Sequence, residues 1–327
     1  MRYFVTGGAG FIGSHLVDRL AEMGDVTVYD NLSTGGKEYI AHHLGREGFR
    51  LVEADLLDFD TLRKAVADHD VVFHLSASND IMGGPENRNL DLHQGTLATS
   101  HVLEAMLSNG IKQMVYSSSA TVYGAARQLP TPEGYAPLLP VSLYGASKLA
   151  CEGLISAYCH LFGFQAWIFR FGNVSGSRAT HGVILDFINK LRRDPSQLEI
   201  LGNGSQRRPF FLVQDCVDGM LHGLRHAHQQ VNLFNLGCDT ITDVNTVARI
   251  AVEEMGLDGV GFKYSGGPLG FLGDVPDVSL GVEKMARLGW RARYSSDQAV
   301  RQAVREMLAI TEAPPVEGLP ELLKDGI

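Results

Sequence analysis

Val5-Thr6-Gly7-Gly8-Ala9-Gly10-Phe11-Ile12-Gly13 follows a short apolar run, residues 2–6, that reads as a strand. A strand that runs into glycines spaced three and three signals a dinucleotide site. Gly7 permits a tight turn, Gly10 lets backbone approach a pyrophosphate with no Cβ in the way, and Gly13 lets the next helix pack closely. The helix N-terminus then faces the phosphates. A second strand, residues 25–29, ends at Asp30, whose carboxylate can accept both ribose hydroxyls of an adenosine. It would repel a 2′-phosphate, so NAD is expected rather than NADP.

Further β-branched or aromatic runs at 49–53, 71–75, 113–117 and 166–171 are separated by helix-period stretches. That rhythm predicts an α/β fold, a doubly wound parallel (Rossmann) sheet covered on both faces. After Arg170 the glycines cluster and prolines appear, which predicts a smaller, interleaved α/β substrate lobe. The expected division is a nucleotide-binding lobe of 1–172 with a return of 231–256, a second lobe of 173–230 and 257–312, and a peripheral tail, 313–327.

The chain has 327 residues, 45% of them hydrophobic, and a net charge of -9. Its length allows a large core, and its charge argues against general nucleic-acid binding, which needs clustered Lys and Arg. No apolar stretch approaches the ~18 residues of a membrane span, and the sequence opens on a strand rather than a signal peptide, so the cytoplasm is expected. Cys151, Cys159, Cys216 and Cys238 are too scattered for a metal knuckle and read as buried, reduced thiols. His42 with His43 and His222 with His226 are potential ligand pairs, but no carboxylate stands at a fitting spacing. No metal is expected.

Tyr144 and Lys148 share one face of a helix that begins near Ser142. The ammonium can sit under the phenol and lower its pKa by favouring phenolate, an effect to which a cationic nicotinamide would add. Such a pair also occurs on ordinary solvated helices. Upstream, Ser117-Ser118-Ser119-Ala120-Thr121-Val122-Tyr123-Gly124 ends a strand at the carboxyl edge, where open α/β sheets bind ligands. A Ser119 hydroxyl there could hydrogen-bond the substrate oxygen that Tyr144 deprotonates, for hydride transfer at an alcohol; a serine-rich turn that caps itself is the alternative.

With these motifs the chain resembles an extended short-chain dehydrogenase/reductase of the UDP-glucose 4-epimerase branch. The resemblance runs from residue 1 to about 310 and rests on the glycine run, Asp30-Asn31-Leu32-Ser33, Asp55-Leu56, His74-Leu75-Ser76-Ala77, the serine cluster, the Tyr144/Lys148 pair and Arg170-Phe171-Gly172-Asn173-Val174. It implies Phe11 and Ile12 as backbone donors to the pyrophosphate, contacts to the adenosine from Asp30, Asn31, Leu32, Ser33, Asp55 and Leu56, and Leu75 and Ala77 lining the cofactor. It also implies Ser119 as hydroxyl partner, Tyr144 as acid/base, and Lys148 as electrostatic support and ribose ligand. Asn173 and Arg208 correspond to diphosphate ligands, Arg207 to a solvated neighbour, and Asp274 to a ribose contact, with Thr121 beside the sugar. Relatives that dehydrate or decarboxylate carry acids after the serine, where this chain has Ala120 and Thr121. The implied reaction is epimerisation at C4 of a nucleotide-diphosphate sugar, a UDP-sugar favoured, through a transient 4-keto intermediate with tightly bound, regenerated NAD. A reductase with net redox change and a non-catalytic NAD sensor are the alternatives.

The pattern is not met everywhere. His93-Gln94-Gly95-Thr96 replaces a motif that supplies an asparagine near the nicotinamide, Pro209 replaces an aspartate, and Phe271 or Leu272 stands where a second arginine is expected. Asn79 or Asp80 stands where some relatives have lysine, and Val278 occupies a position that gates sugar size. His181 either reaches the sugar or ties its loop to a helix. The resemblance implies a homodimer through the helices near 90–107 and 144–162.

Overall fold

The computed structural model describes residues 1–78 and 87–312. Asn79, Asp80 and the tail 313–327 lie outside the described residues.

Six strands, β1 Arg2–Thr6, β2 Asp25–Asp30, β3 Phe49–Glu53, β4 Val71–His74, β5 Gln113–Ser119 and β6 Gln165–Phe171, join Val231–Leu236 in one seven-stranded sheet. The order is Val231–Leu236, β6, β5, β4, β1, β2, β3, and every pairing is parallel. Strands buried on both faces read as continuous apolar runs, and successive side chains part to opposite layers. Val5, Val28 and Phe73 enter one core, while their neighbours Phe4, Tyr29 and Val72 enter the other. The direction of winding reverses between β1 and β4, the crevice at which such sheets bind ligands.

Helices α1 Phe11–Leu20, α2 Phe59–Ala65, α3 Ala98–Ser108 and α4 Leu143–Phe162 cover this sheet. α1 packs Leu16 and Val17 on the first face, whereas α3 and α4 bring Val102, Met106, Cys151 and Ile155 to the other. The Ser142 hydroxyl caps α4 by accepting the Gly145 N–H at 3.1 Å, and Gly163, at φ +68°, stops it. Among the described residues no helix is long and apolar enough to cross a membrane.

A separate apolar cluster joins the helices Val183–Arg193, Val244–Glu254 and Ser296–Glu312 into the smaller lobe. Val231–Leu236 returns to the main sheet, but its flanking helices divide differently from the expected boundaries. Val213–His226, expected in the second lobe, lays Cys216, Val217, Met220 and Leu221 beside α1 on the main sheet. Val244–Glu254, expected with the returning strand, instead buries Val247, Ala248, Ile250 and Ala251 among the small-lobe helices. Periodicity shows that each helix has an apolar face and does not show which layer receives it.

Candidate active site

The loop after β1 is built so that backbone lies where side chains cannot. Gly7 is left-handed, at φ +69°, and a Cβ there would lie 2.7 Å from the Ser76 nitrogen. A Cβ on Gly13 would lie 2.0 Å from the Gly7 carbonyl oxygen, so α1 starts hard against the turn. Gly10 caps α1 without a side chain, leaving the first N–H groups, those of Phe11 and Ile12 included, outside the intrahelical ladder. That cradle and its positive helix end fit a pyrophosphate.

At the end of β2 the buried Asp30 accepts the Ala9 and Leu32 N–H groups, one on each oxygen, both at 2.9 Å. Burial raises its pKa against the opposing pull of those two bonds. Each oxygen keeps a further lone pair, the acceptors that two ribose hydroxyls need. Leu32 holds φ +57°, a strained value for a bulky residue, of the kind that collects at functional sites. Asn31 Nδ2 donates to Asp55 at 2.8 Å, and Asn31 Oδ1 accepts the Ser33 N–H at 3.1 Å. Burial opposes ionisation of Asp55, but hydrogen bonds from the Leu57 N–H, Asn31 and Gln94 outweigh it and hold the carboxyl below its ordinary value. Leu56 is buried, and Leu75 and Ala77 line the crevice beyond β4, partly exposed. These residues fit NAD.

Ser119 ends β5, and its oxygen accepts the Thr121 N–H at 3.2 Å, so it does cap its own turn. Ser119 also pulls the pKa of Tyr144 downward, so the two side chains act on one another. Lys148 lies one turn on, its Nζ 5.6 Å from the Tyr144 ring centroid and donating to the Ser117 carbonyl at 2.6 Å. The lowering of the phenol's pKa expected from this spacing does not occur in the chain alone. Burial pushes Tyr144 up to about 12, with Ser119 opposing and the Asp91 charge adding to the rise. Burial also brings Lys148 down to about 8, against the pull of Cys151, Glu152 and Asp91. The ammonium is directed at a carbonyl rather than at the phenol oxygen. Thr121 Oγ1 is buried with no hydrogen-bond partner among the described residues, which marks it for a ligand.

Sequence reasoning missed the polar frame behind this trio. Arg170 grips Glu152 at 2.9 and 2.6 Å, Ser118 donates to the same carboxylate at 2.5 Å, and the guanidinium lies 4.7 Å from the Tyr123 ring centroid. The available signal was that Glu152 follows Lys148 by one helical turn. The Gly95 departure also has a local cause: residues Asp91–Leu97 form a π-helical turn, and a Cβ on Gly95 would lie 2.2 Å from Ser147 Oγ. Ser147 fills that space and donates to the Asp91 carbonyl at 2.8 Å.

In the second lobe, neighbouring strand residues face opposite ways. Arg207 makes a bidentate surface pair with Asp277 at 2.7 and 2.8 Å, while Arg208 turns inward to Asp274. The two expected substrate ligands are thus joined to each other. Asn173 donates its N–H to Pro209 at 3.0 Å, beside them. Val278 packs in the cluster that holds Ala120 and Val122. Leu272 is 78% exposed where a basic residue is expected, and His181 reaches Thr180 Oγ1 at 3.2 Å.

The fold also supplies a carboxylate that spacing alone did not reveal. Asp18, on α1, contacts Nε2 of both His42 and His43 at 2.8 Å, a grouping of metal-ligating atoms. Its other oxygen accepts from Arg178 at 2.9 Å, and Arg46 points a donor at His43 Nδ1 at 3.1 Å. That donor makes Nδ1 an acceptor and puts the His43 proton on Nε2, facing Asp18. The group is a hydrogen-bonded staple between α1, residues 37–43 and the Arg178 loop.

Residues 3–237 match the family model described as the NAD dependent epimerase/dehydratase family. A UDP-glucose 4-epimerase of Azospirillum brasilense is 31% identical over 346 residues, covering 98% of this chain and 95% of its own. The UDP-glucose 4-epimerase of Thermotoga maritima, solved with UDP-glucose, superposes with a TM-score of 0.86 at 28% identity, covering 95% of this chain and 100% of that one. The Thermus thermophilus UDP-glucose 4-epimerase, solved with NAD, gives 0.83 at 29% identity over 94% of this chain and 98% of its own.

Proposed function

The chain belongs to the NAD-dependent epimerase/dehydratase family, and from that membership and the site we propose that it inverts C4 of a nucleoside-diphosphate sugar, a UDP-sugar by preference. The observation that carries this reading is Tyr144 over Lys148, whose Nζ is held on the Ser117 carbonyl of the strand that ends in Ser119, with Ala120 and Thr121 following and no acid in the turn. NAD, when bound, supplies the group that takes hydride from C4 and gives it back. Tyr144 Oη takes the proton of the C4 hydroxyl and later returns it, so the protein ends each turnover in the state in which it began. Ser119 orients that hydroxyl. Lys148, one turn on, stabilises the phenolate. Inversion requires the keto sugar to turn before hydride returns, and the apolar Ala120 and Val278 offer it no polar anchor, which leaves the Thr121 hydroxyl as the one polar group of the three.

We place a homodimer interface on α4. Leu143, Ala146, Ala150, Gly153, Ala157 and Leu161 form an exposed apolar seam at helical spacing, next to exposed Leu92 and Leu97. Four buried, free cysteines suit a reducing compartment such as the cytoplasm.

The test is to identify the cofactor released from the purified protein by mass spectrometry, then to incubate the protein with UDP-glucose, UDP-galactose, UDP-N-acetylglucosamine and UDP-glucuronate. Interconversion of one C4 pair with no net change in NADH absorbance is expected. Stoichiometric NADH consumption would instead establish a reductase, and a dehydrated or decarboxylated product would exclude simple epimerisation.

A further inference from the structure

Arg208 and Asp274, both assigned to the nucleotide sugar, are bound to each other. A guanidinium has five N–H donors and no acceptor. Nη1 donates to the carbonyls of Arg207 at 2.8 Å and Pro276 at 3.0 Å, and Nη2 donates to the Val275 carbonyl at 2.6 Å and to the Asp274 carboxylate. Both terminal nitrogens are therefore filled, in a pair whose side chains are only 13% and 8% exposed. The second Asp274 oxygen accepts the Gly270 N–H at 3.0 Å. The pair thus ties the turn 270–274 to the strand that carries Arg208, while the ends of segment 265–276 are held separately, the Ser265 and Gly266 N–H groups on the Ile200 and Gly202 carbonyls and the Arg207 N–H on Pro276. That segment contains Gly266, Gly267 and Gly273 at φ +88°, +81° and +88°, where glycine carries no steric penalty. It also abuts the approach to α4, because a Cβ on Gly273 would lie 3.2 Å from the Val141 carbonyl oxygen.

Resting on the nucleotide-sugar reading, we propose that Arg208 and Asp274 form a latch in which the Asp274 carboxylate stands in for phosphate. A diphosphate reaches Nη2 of Arg208 only by displacing Asp274, and the turn 270–274 loses its tie as it does so. Carboxylate and phosphate suit the same planar fork, so they compete for it. Asp274 then sets diphosphate affinity together with Arg208, while the solvent-facing Arg207–Asp277 pair takes no part.

Inorganic pyrophosphate has no ribose for Asp274 to bind, so it isolates the competition. Titrated calorimetrically into the full-length, cofactor-loaded protein, it is expected to bind Asp274→Asn roughly tenfold tighter than the unsubstituted chain, one charge-assisted contact's worth of competition having been removed. Asp277→Asn should bind it unchanged. Asparagine keeps an acceptor for the Gly270 N–H, and thermal unfolding checks that the variant is folded. Hydrogen exchange in 270–274 should quicken when pyrophosphate is added to the unsubstituted chain. Equal or weaker pyrophosphate binding by folded Asp274→Asn, with UDP still bound by the unsubstituted chain, overturns the latch and leaves the functional reading standing. Failure of the unsubstituted chain to bind either UDP or pyrophosphate overturns both.

Discussion

Tyr144 and Lys148 owe their properties to burial before anything else. At neutral pH a phenol held near 12 is protonated, and an ammonium held near 8 is mostly charged. The proposed chemistry uses the Lys148 charge beneath the phenol, and that charge is present below about pH 8 and lost above it. The value of kcat/KM, which reports groups of the free enzyme, is therefore expected to fall as pH rises through about 8. Lys148→Met, with no charge at any pH, should lower turnover and erase that limb; a limb that survives in the variant assigns it elsewhere. Tyr144→Phe removes only the hydroxyl and should cost about 10²–10⁴-fold in kcat with little change in melting temperature. A fully active Tyr144→Phe enzyme would remove Tyr144 from the chemistry. The helical spacing of Tyr144 and Lys148 was legible in the sequence, because four residues make about one turn. The direction of the Tyr144 shift was not, because it depends on solvent exclusion by distant segments and on where the Lys148 ammonium points.

The first glycine turn and the π-helical turn each place a glycine against a neighbour, but the neighbours differ in how far they can yield. Gly13 faces the backbone of Gly7 and Gly8, with a Cβ contact of 2.0 Å to the Gly7 carbonyl oxygen, so α1 itself would have to move. Gly13→Ala should cost about 1–3 kcal/mol and deplete the co-purified NAD, measured by thermal unfolding and by cofactor content. Gly95 faces the Ser147 hydroxyl at 2.2 Å, a side chain that can rotate at the loss of its bond to the Asp91 carbonyl. Gly95→Ala should cost only about 1 kcal/mol, and most of that should be recovered in a Ser147→Ala background, because residues in contact couple. Additive losses in that cycle would show that Ser147 is not what requires glycine at 95. The first glycine is readable from local sequence, since strand, turn and helix are contiguous. The second is not, since its partner lies on α4, fifty-two positions along the chain.

At the scale of the whole molecule, the exposed seam of small and apolar residues on α4 is expected to pair with a second copy. Sedimentation velocity should give a dimer, and Ala150→Arg, at the middle of the seam, should give a monomer that remains folded; an unsubstituted chain that sediments as a monomer excludes the interface. The sequence by itself determined the parallel α/β sheet, the glycine turn after β1 and the shared helical face of Tyr144 and Lys148, because each is written in a local rhythm, in contiguous residues or in one helical turn. Only the tertiary structure decided which layer receives Val213–His226 and Val244–Glu254, that Asp18 meets His42 and His43, that Glu152 braces Arg170, and that Arg208 is held by Asp274. Those outcomes depend on which apolar face finds which partner and on burial that makes a lone charge costly, forces that act between segments far apart in the chain.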